Sequence, residues 1–196
     1  MRLKKLPRAF YLRPTLVVAE DLPGKYLVRK QGGTMLAGKI VEVEAYLGER
    51  DPASHAYRGK TKRNEVMFLL GGHLYVYFTY GMHFCCNVVS EGEGTGRAIL
   101  IRALEPVKGI PRMFVNRKTT IDNLCNGPAK ICQAFNIGRR ENGTDLCGDQ
   151  IWLAVDSARE KVTVGRSTRV GITEGKHHRW RFFVKGNKFV SHGKPV

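Results

Sequence analysis

Glu44 and Arg102 each sit within a largely apolar run, and they are the first candidates for chemistry. Glu44 lies in Val41-Glu42-Val43-Glu44-Ala45-Tyr46-Leu47, and Arg102 follows Ala98-Ile99-Leu100-Ile101. A buried, unpaired carboxylate is costly, so Glu44 is exposed, paired or functional. Arg102 needs an anionic partner if it is covered, and a carboxylate that activates water is one such partner. Asn87 sits mid-strand, where asparagine is disfavoured, and can supply specific hydrogen bonds. His55 fits either a functional role or an ordinary loop position. All seven tyrosines fall within the first 80 residues, and Tyr75, Tyr77 and Tyr80 crowd one hairpin. Tyr75 and Tyr77 suit a strand as such. Tyr80 lies at the turn beside Gly81 and Met82, where a core role is hard to supply and a protruding wedge is easy; such side chains can part base steps from the minor groove.

Other motifs fail on spacing. Gly59-Lys60-Thr61 would need a glycine five residues earlier to form a phosphate loop, and that position holds Ser54. Gly92-x-Gly94-x-Gly96 precedes no helical pattern and reads as a flexible turn, so no nucleotide cofactor is expected. Asp and Glu are too dispersed for the acidic metal cluster of a nuclease. The five cysteines, Cys85, Cys86, Cys125, Cys132 and Cys147, are odd in number and lack the C-x-x-C spacing of a zinc site. They read as small buried hydrophobes in a reduced compartment, and no export signal is expected.

The elements that must position these residues follow from periodicity. Pro14 opens a short helix over 15–20, and Leu22-Pro23-Gly24 ends it. Tyr26 to Val28 begins a strand, and Gly38 to Leu47 forms another. Simple alternation puts Ile40, Glu42, Glu44 and Tyr46 on one face and Val41, Val43, Ala45 and Leu47 on the core face. Residues 51–66 form a polar, basic connection. Leu74 to Phe78 and Phe84 to Val89 make a hairpin around Tyr80-Gly81, Ala98 to Leu104 a further strand, and 105–111 a broken stretch. Asn126-Gly127-Pro128 starts a helix with Ile131 and Phe135 on one stripe. Trp180 to Val184 and Phe189 to Ser191 suggest a last hairpin around Gly186-Asn187. Without a regular βαβ alternation, the expected fold is α+β: one domain over 1–196 with a curved, mostly antiparallel sheet, surrounding helices and a protruding β-hairpin.

Composition names the partner. The 196 residues carry 33 Lys and Arg against 17 Asp and Glu, a formal charge of +16, far more than solubility requires. The excess sits at the ends, with 12 basic and 6 acidic residues in 1–60 and 9 and 1 in 161–196. A cationic surface around a nearly neutral body suits a phosphate backbone. Membrane binding is disfavoured, because there is no long amphipathic segment or lipidation motif.

The stretch Val43-Glu44-Ala45-Tyr46-Leu47-Gly48 with His55 resembles the alkyladenine (3-methyladenine) DNA glycosylase family. Thr61-x-Arg63-Asn64, Leu74-Tyr75-Val76-Tyr77, Tyr80-Gly81-Met82, Asn87, the run from Leu100 to Pro106, Gly127-Pro128-x-Lys130 and Arg169-Val170-Gly171 follow in family order. The resemblance implies a monofunctional enzyme of base excision repair. Such an enzyme flips an alkylated or deaminated purine out of duplex DNA and hydrolyses its N-glycosidic bond. It further implies Glu44 as the base that activates water, with Arg102 helping to hold that water. Tyr46, His55 and Tyr77 would sandwich the base, Asn87 would disfavour the exocyclic amine of guanine, and Tyr80, with Met82 nearby, would fill the gap in the stack. Lys60, Thr61, Arg63 and Lys130 would contact the DNA backbone. The implied protein is a monomer without metal or cofactor, acting in the cytoplasm and nucleoid, or the nucleus of a eukaryote. The competing expectation is a non-catalytic, basic nucleic-acid-binding module, which gives Glu44 and Arg102 no joint task.

Overall fold

The apolar run that carries Glu44 folds as the longest strand of the sheet, in a computed structural model that describes residues 2–79, 81–158 and 161–191. In chain order the elements are β1 (Leu3–Lys5), α1 (Arg8–Tyr11), α2 (Thr15–Asp21), β2 (Tyr26–Gln31), β3 (Thr34–Tyr46), β4 (Leu74–Thr79), β5 (His83–Val89) and β6 (Ala98–Lys108). They continue with α3 (Ile110–Asn116), α4 (Pro128–Ala134), β7 (Ile151–Asp156), β8 (Val164–Ser167) and β9 (Arg181–Val184). The architecture is α+β. One antiparallel sheet runs β1-β7-β2-β3-β6-β5-β4. β3 gives one edge to β6 and divides the other between β2, along 34–39, and β9, along 42–44. β8 then extends β9.

Simple alternation fails in the middle of β3. Ile40 pairs with Leu104, Glu42 with Ala103 and Val43 with Ile101, so Val41 and Arg102 are extra residues, one on each strand. These paired bulges move Ile40 onto the side of Val43 and Ala45 in the main core, while Val41 packs with Ala103, Val184 and Phe189 in a separate cluster. Both faces are covered, and β3 is buried from Leu36 to Ala45. The predicted core face is thus corrected at Ile40, and Leu47 is only partly buried.

Two local expectations are borne out. Pro14 opens α2, which ends before Gly24 at a φ of 89°. Pro128 opens α4, and Ile131 within it and Phe135 just after its end are fully buried against the core. Four cysteines are buried and none is bonded to another. The last hairpin is not as predicted: β9 pairs with β8 rather than with 189–191. The turn at Gly186-Asn187 exists, but beyond it Phe189 fills the Val41 cluster and Ser191 bonds to Glu42, so neither joins a ladder. The stretch after Leu104 likewise continues β6 through Pro106 to Lys108. No helix among the described residues is long and apolar enough to cross a membrane.

Candidate active site

A cavity of about 600 Å³ opens where the ends of β3, β4, β5 and β6 meet the loop after β3 and the segment 170–173. Strand periodicity builds its walls. Tyr75 and Tyr77 on β4, Cys85 and Asn87 on β5, and Leu100 and Arg102 on β6 are each two residues apart, so each pair faces one side. Register brings the rows together, with Tyr75 opposite Asn87, Tyr77 opposite Cys85 and Asn87 opposite Leu100. Tyr46 closes the far wall from the end of β3, and Pro128 contributes the start of α4.

Glu44 lies beneath this cavity and is fully buried. Its Oε1 accepts the backbone N–H of Val170 at 2.7 Å, and its Oε2 accepts the Tyr46 hydroxyl at 3.0 Å and Arg102 Nη1 at 3.3 Å. A carboxylate offers about four acceptor directions, of which these bonds fill three. Burial pushes its pKa up against the pull of Arg102, the Val170 N–H and the Tyr46 hydroxyl, and the charge of Glu42 adds to the rise. Burial also works against the Arg102 charge, but Glu44 and Glu42 outweigh it and hold the guanidinium protonated. Arg102 is the shared bridge, since its Nε donates to Glu42 Oε1 at 3.1 Å. Glu42 also accepts Arg181 Nε at 2.6 Å, the Ser191 N–H at 2.7 Å and the Ser191 hydroxyl at 2.9 Å. Glu42 is thus held by four donors away from the cavity lining, whereas Glu44 is joined to that lining through Tyr46, Arg102 and Val170.

The loop carrying His55 is held by Asn64, whose side chain donates to the His55 and Gly59 carbonyls and accepts the Thr61 N–H. His55 packs edge-on to Tyr77 at 4.5 Å between ring centroids, and its Nδ1 meets the Tyr75 hydroxyl at 3.1 Å. Partial burial of the ring, which keeps an exposed edge, and then the nearby Arg63 lower its pKa and favour the neutral imidazole. Burial likewise lifts Tyr75 to about 12 and Tyr77 further, so both remain hydroxyl donors. The cavity therefore presents aromatic faces, neutral polar edges and the Arg102 guanidinium, behind which the buried Glu44 is bonded.

The methylpurine-DNA glycosylase family model matches residues 9–188. The chain belongs to this family. It is therefore a DNA glycosylase, and DNA is the polymer it acts on. A provisionally named 3-methyladenine DNA glycosylase from Carboxydothermus hydrogenoformans is 53% identical over 95% of this chain and 98% of its own. A second with the same provisional name, from Chlorobium luteolum, is 46% identical over 97% and 98%. One from Clostridium acetobutylicum is 45% identical over 95% and 97%.

Within this glycosylase fold, the sequence-predicted residues Tyr46, His55, Tyr77, Asn87 and Arg102 meet in one cavity. Glu44 sits below it, paired and buried, which removes the solvent-exposed alternative. Met82 is 70% exposed at the tip of the β4–β5 hairpin, and Lys60, Thr61 and Arg63 are exposed on the Asn64-braced loop. Lys130 on α4 is half-buried and donates to Asn126 Oδ1 at 2.6 Å. Tyr80 lies outside the described residues. Sequence reasoning treated Tyr75 as an ordinary strand residue; the clue to its place was its spacing from Tyr77. It also missed Glu42, Arg181 and Ser191, and gave Arg169-Val170 no task, although Val170 supplies a donor to Glu44.

Proposed function

We propose that this glycosylase takes an alkylated or deaminated purine, flipped out of duplex DNA, into the cavity and hydrolyses its N-glycosidic bond, leaving an abasic site. The observation that supports this most is the buried Glu44 carboxylate beneath an aromatic cavity, with one acceptor direction to spare. That direction accepts a water. As the water oxygen attacks C1′, the C1′–N9 bond breaks, its electron pair leaves with the purine, and Glu44 takes the water's proton. Arg102, held by two carboxylates, orients the water. A purine made cationic by alkylation departs neutral and stacks well on the electron-rich faces of Tyr46 and Tyr77. In the tautomer in which Tyr75 donates to Nδ1, the neutral His55 carries its proton on Nε2, available to the base edge. Asn87, whose Nδ2 donates to the Tyr75 carbonyl at 3.2 Å, discriminates against an extra amine. The enzyme acts as a monomer. The deciding assay uses a duplex with a single hypoxanthine or ethenoadenine. An alkali-labile abasic site is expected; a directly cut backbone or binding without excision refutes the proposal.

The hairpin supplies the wedge, with Tyr80 entering the gap left by the flipped nucleotide. Tyr80→Ala should weaken the extruded state by about 1–3 kcal/mol, the scale of base–aromatic stacking. The brightening of ethenoadenine on unstacking measures this, and unaltered flipping would place the wedge elsewhere. Basic residues add the sequence-independent part of affinity. Binding to undamaged duplex should fall steeply with salt, at a log–log slope of about −0.9 per phosphate contacted. Lys130→Ala should make that slope shallower by about one; an unchanged slope takes Lys130 out of the interface.

A further inference from the structure

We propose that Arg169 is a positioning and specificity-determining residue that sets the charge preference of the base cavity from the hidden face of Tyr46. The inference rests on the proposed stacking role of Tyr46. Arg169 is fully buried and does not line the cavity. Its guanidinium lies 4.7 Å from the centroid of the Tyr46 ring and 5.0 Å from that of Trp180, and Trp180 stacks flat on His178 at 3.8 Å. Tyr46 is therefore backed by a column of stacked groups, and the cavity sees only what the guanidinium leaves uncovered.

The column is fixed from the side. Arg169 Nη1 and Nη2 grip the fully buried Asp51 at 2.5 and 2.8 Å, and Nη1 also donates to the Ala45 carbonyl at 3.0 Å. The chain closes tightly over the pair, since a Cβ at Gly175 would stand 3.0 Å from Arg169 Nη2. Asp51 spreads its charge further, accepting the N–H groups of Leu47 and Ala53. Buried ion pairs contribute little net stability compared with apolar replacements. This one does have a geometric effect: it ties the β3–His55 loop to the segment beginning at Val170, two walls of the same cavity.

The electrostatic effect follows from the ring. A cation over one face of an aromatic ring uses the attraction that the ring offers a second cation on the other, and the two cations repel through a poorly screened interior. A cationic purine stacked on Tyr46 meets both penalties, the second reduced by the paired Asp51 carboxylate, whereas a neutral purine meets neither. Arg169 thus shifts the cavity towards neutral lesions and away from cationic ones, relative to the same rings without it.

The test compares single-turnover excision of N7-methylguanine, which is cationic, with that of hypoxanthine, which is neutral, in the same duplex. Asp51→Asn/Arg169→Gln removes both charges without leaving either buried alone, and should raise the ratio of cationic to neutral excision about three- to tenfold. Asp51→Asn alone leaves the guanidinium less opposed and should lower it. Arg169→Lys keeps the charge but loses the planar grip, so both rates should fall with the ratio kept. A purely structural role moves both rates together in all three variants; an unchanged ratio in whichever charge variants fold overturns the proposal. A parent enzyme that excises neither lesion would instead refute the glycosylase reading of the cavity. If Tyr46→Leu leaves both rates intact, the stacking wall falls, and the Arg169 proposal with it.

Discussion

Glu44→Gln should leave duplex binding nearly intact while single-turnover excision falls by about 10²- to 10⁴-fold, the usual contribution of a positioned general base. The amide keeps the shape of the side chain. Its oxygen, placed where Oε2 stands, still accepts from Tyr46 and Arg102, but its nitrogen then faces the Val170 N–H and leaves that donor unmatched. That mismatch costs about 1–3 kcal/mol of stability, so the variant should melt somewhat lower and still fold. The parent's pH profile adds an independent check. Because burial and Glu42 raise the Glu44 pKa, the carboxyl is protonated and useless as a base over a window that begins at the ordinary value of 4.5 and extends above it. Excision should rise with pH through that window. Stability runs the opposite way: the native state holds the proton more tightly than the unfolded chain does, so Glu44's contribution is fullest below 4.5 and is lost as pH rises. Excision by the variant close to the parent's rate removes Glu44 from the mechanism. Joint loss of binding and activity would mark the residue as structural.

What could be read from the sequence was local. A glutamate and an arginine inside apolar runs stand out because burying either alone is costly, and the two do meet, 58 residues apart, at 3.3 Å. The i, i+2 tyrosines on β4 and the proline-opened helices follow from one element's own periodicity and caps. What could not be read is set by pairing between distant segments. Nothing near Glu42 announces that Arg181 and Ser191, 139 and 149 residues away, satisfy it. The double bulge at Val41 and Arg102 is a property of two strands together, so alternation within β3 alone placed Ile40 on the wrong face. The misread C-terminal hairpin has the same origin: β9 had a turn and a candidate partner next to it, but the core takes Phe189 and the free edges of β3 and β8 take β9. The net charge, by contrast, needs no fold, and it already pointed to a polyanion.

The bridge between the carboxylates makes the second large effect one of folding as well as of catalysis. Arg102→Leu removes the only side-chain cation among the described residues within hydrogen-bonding distance of Glu44, whereas Glu42 keeps Arg181 and both Ser191 donors. An uncompensated buried charge costs about 3–5 kcal/mol, which for a chain of this size lowers the melting temperature by roughly 10 °C near neutral pH. The deficit must depend on pH with a definite sign. Without the guanidinium, the native pKa of Glu44 rises further above its unfolded value, so the folded variant takes up a proton that the unfolded chain gives up. The gap between parent and variant should be small at low pH, where both states are protonated, and should widen as pH rises through the native pKa. Combining Arg102→Leu with Glu44→Gln removes the orphaned charge and should recover most of the lost stability without any recovery of excision, a coupling that a double-mutant cycle reads directly. Arg102→Lys keeps a positive charge but cannot reach Glu42 and Glu44 in the two-pronged way that Nε and Nη1 do, so it should restore more of the stability than of the rate. A deficit that is the same at pH 5 and pH 8, or that persists undiminished in the double variant, would mean that the cost lies in the packing of the arginine's apolar stem, and that Glu44 does not depend on Arg102 for its charge.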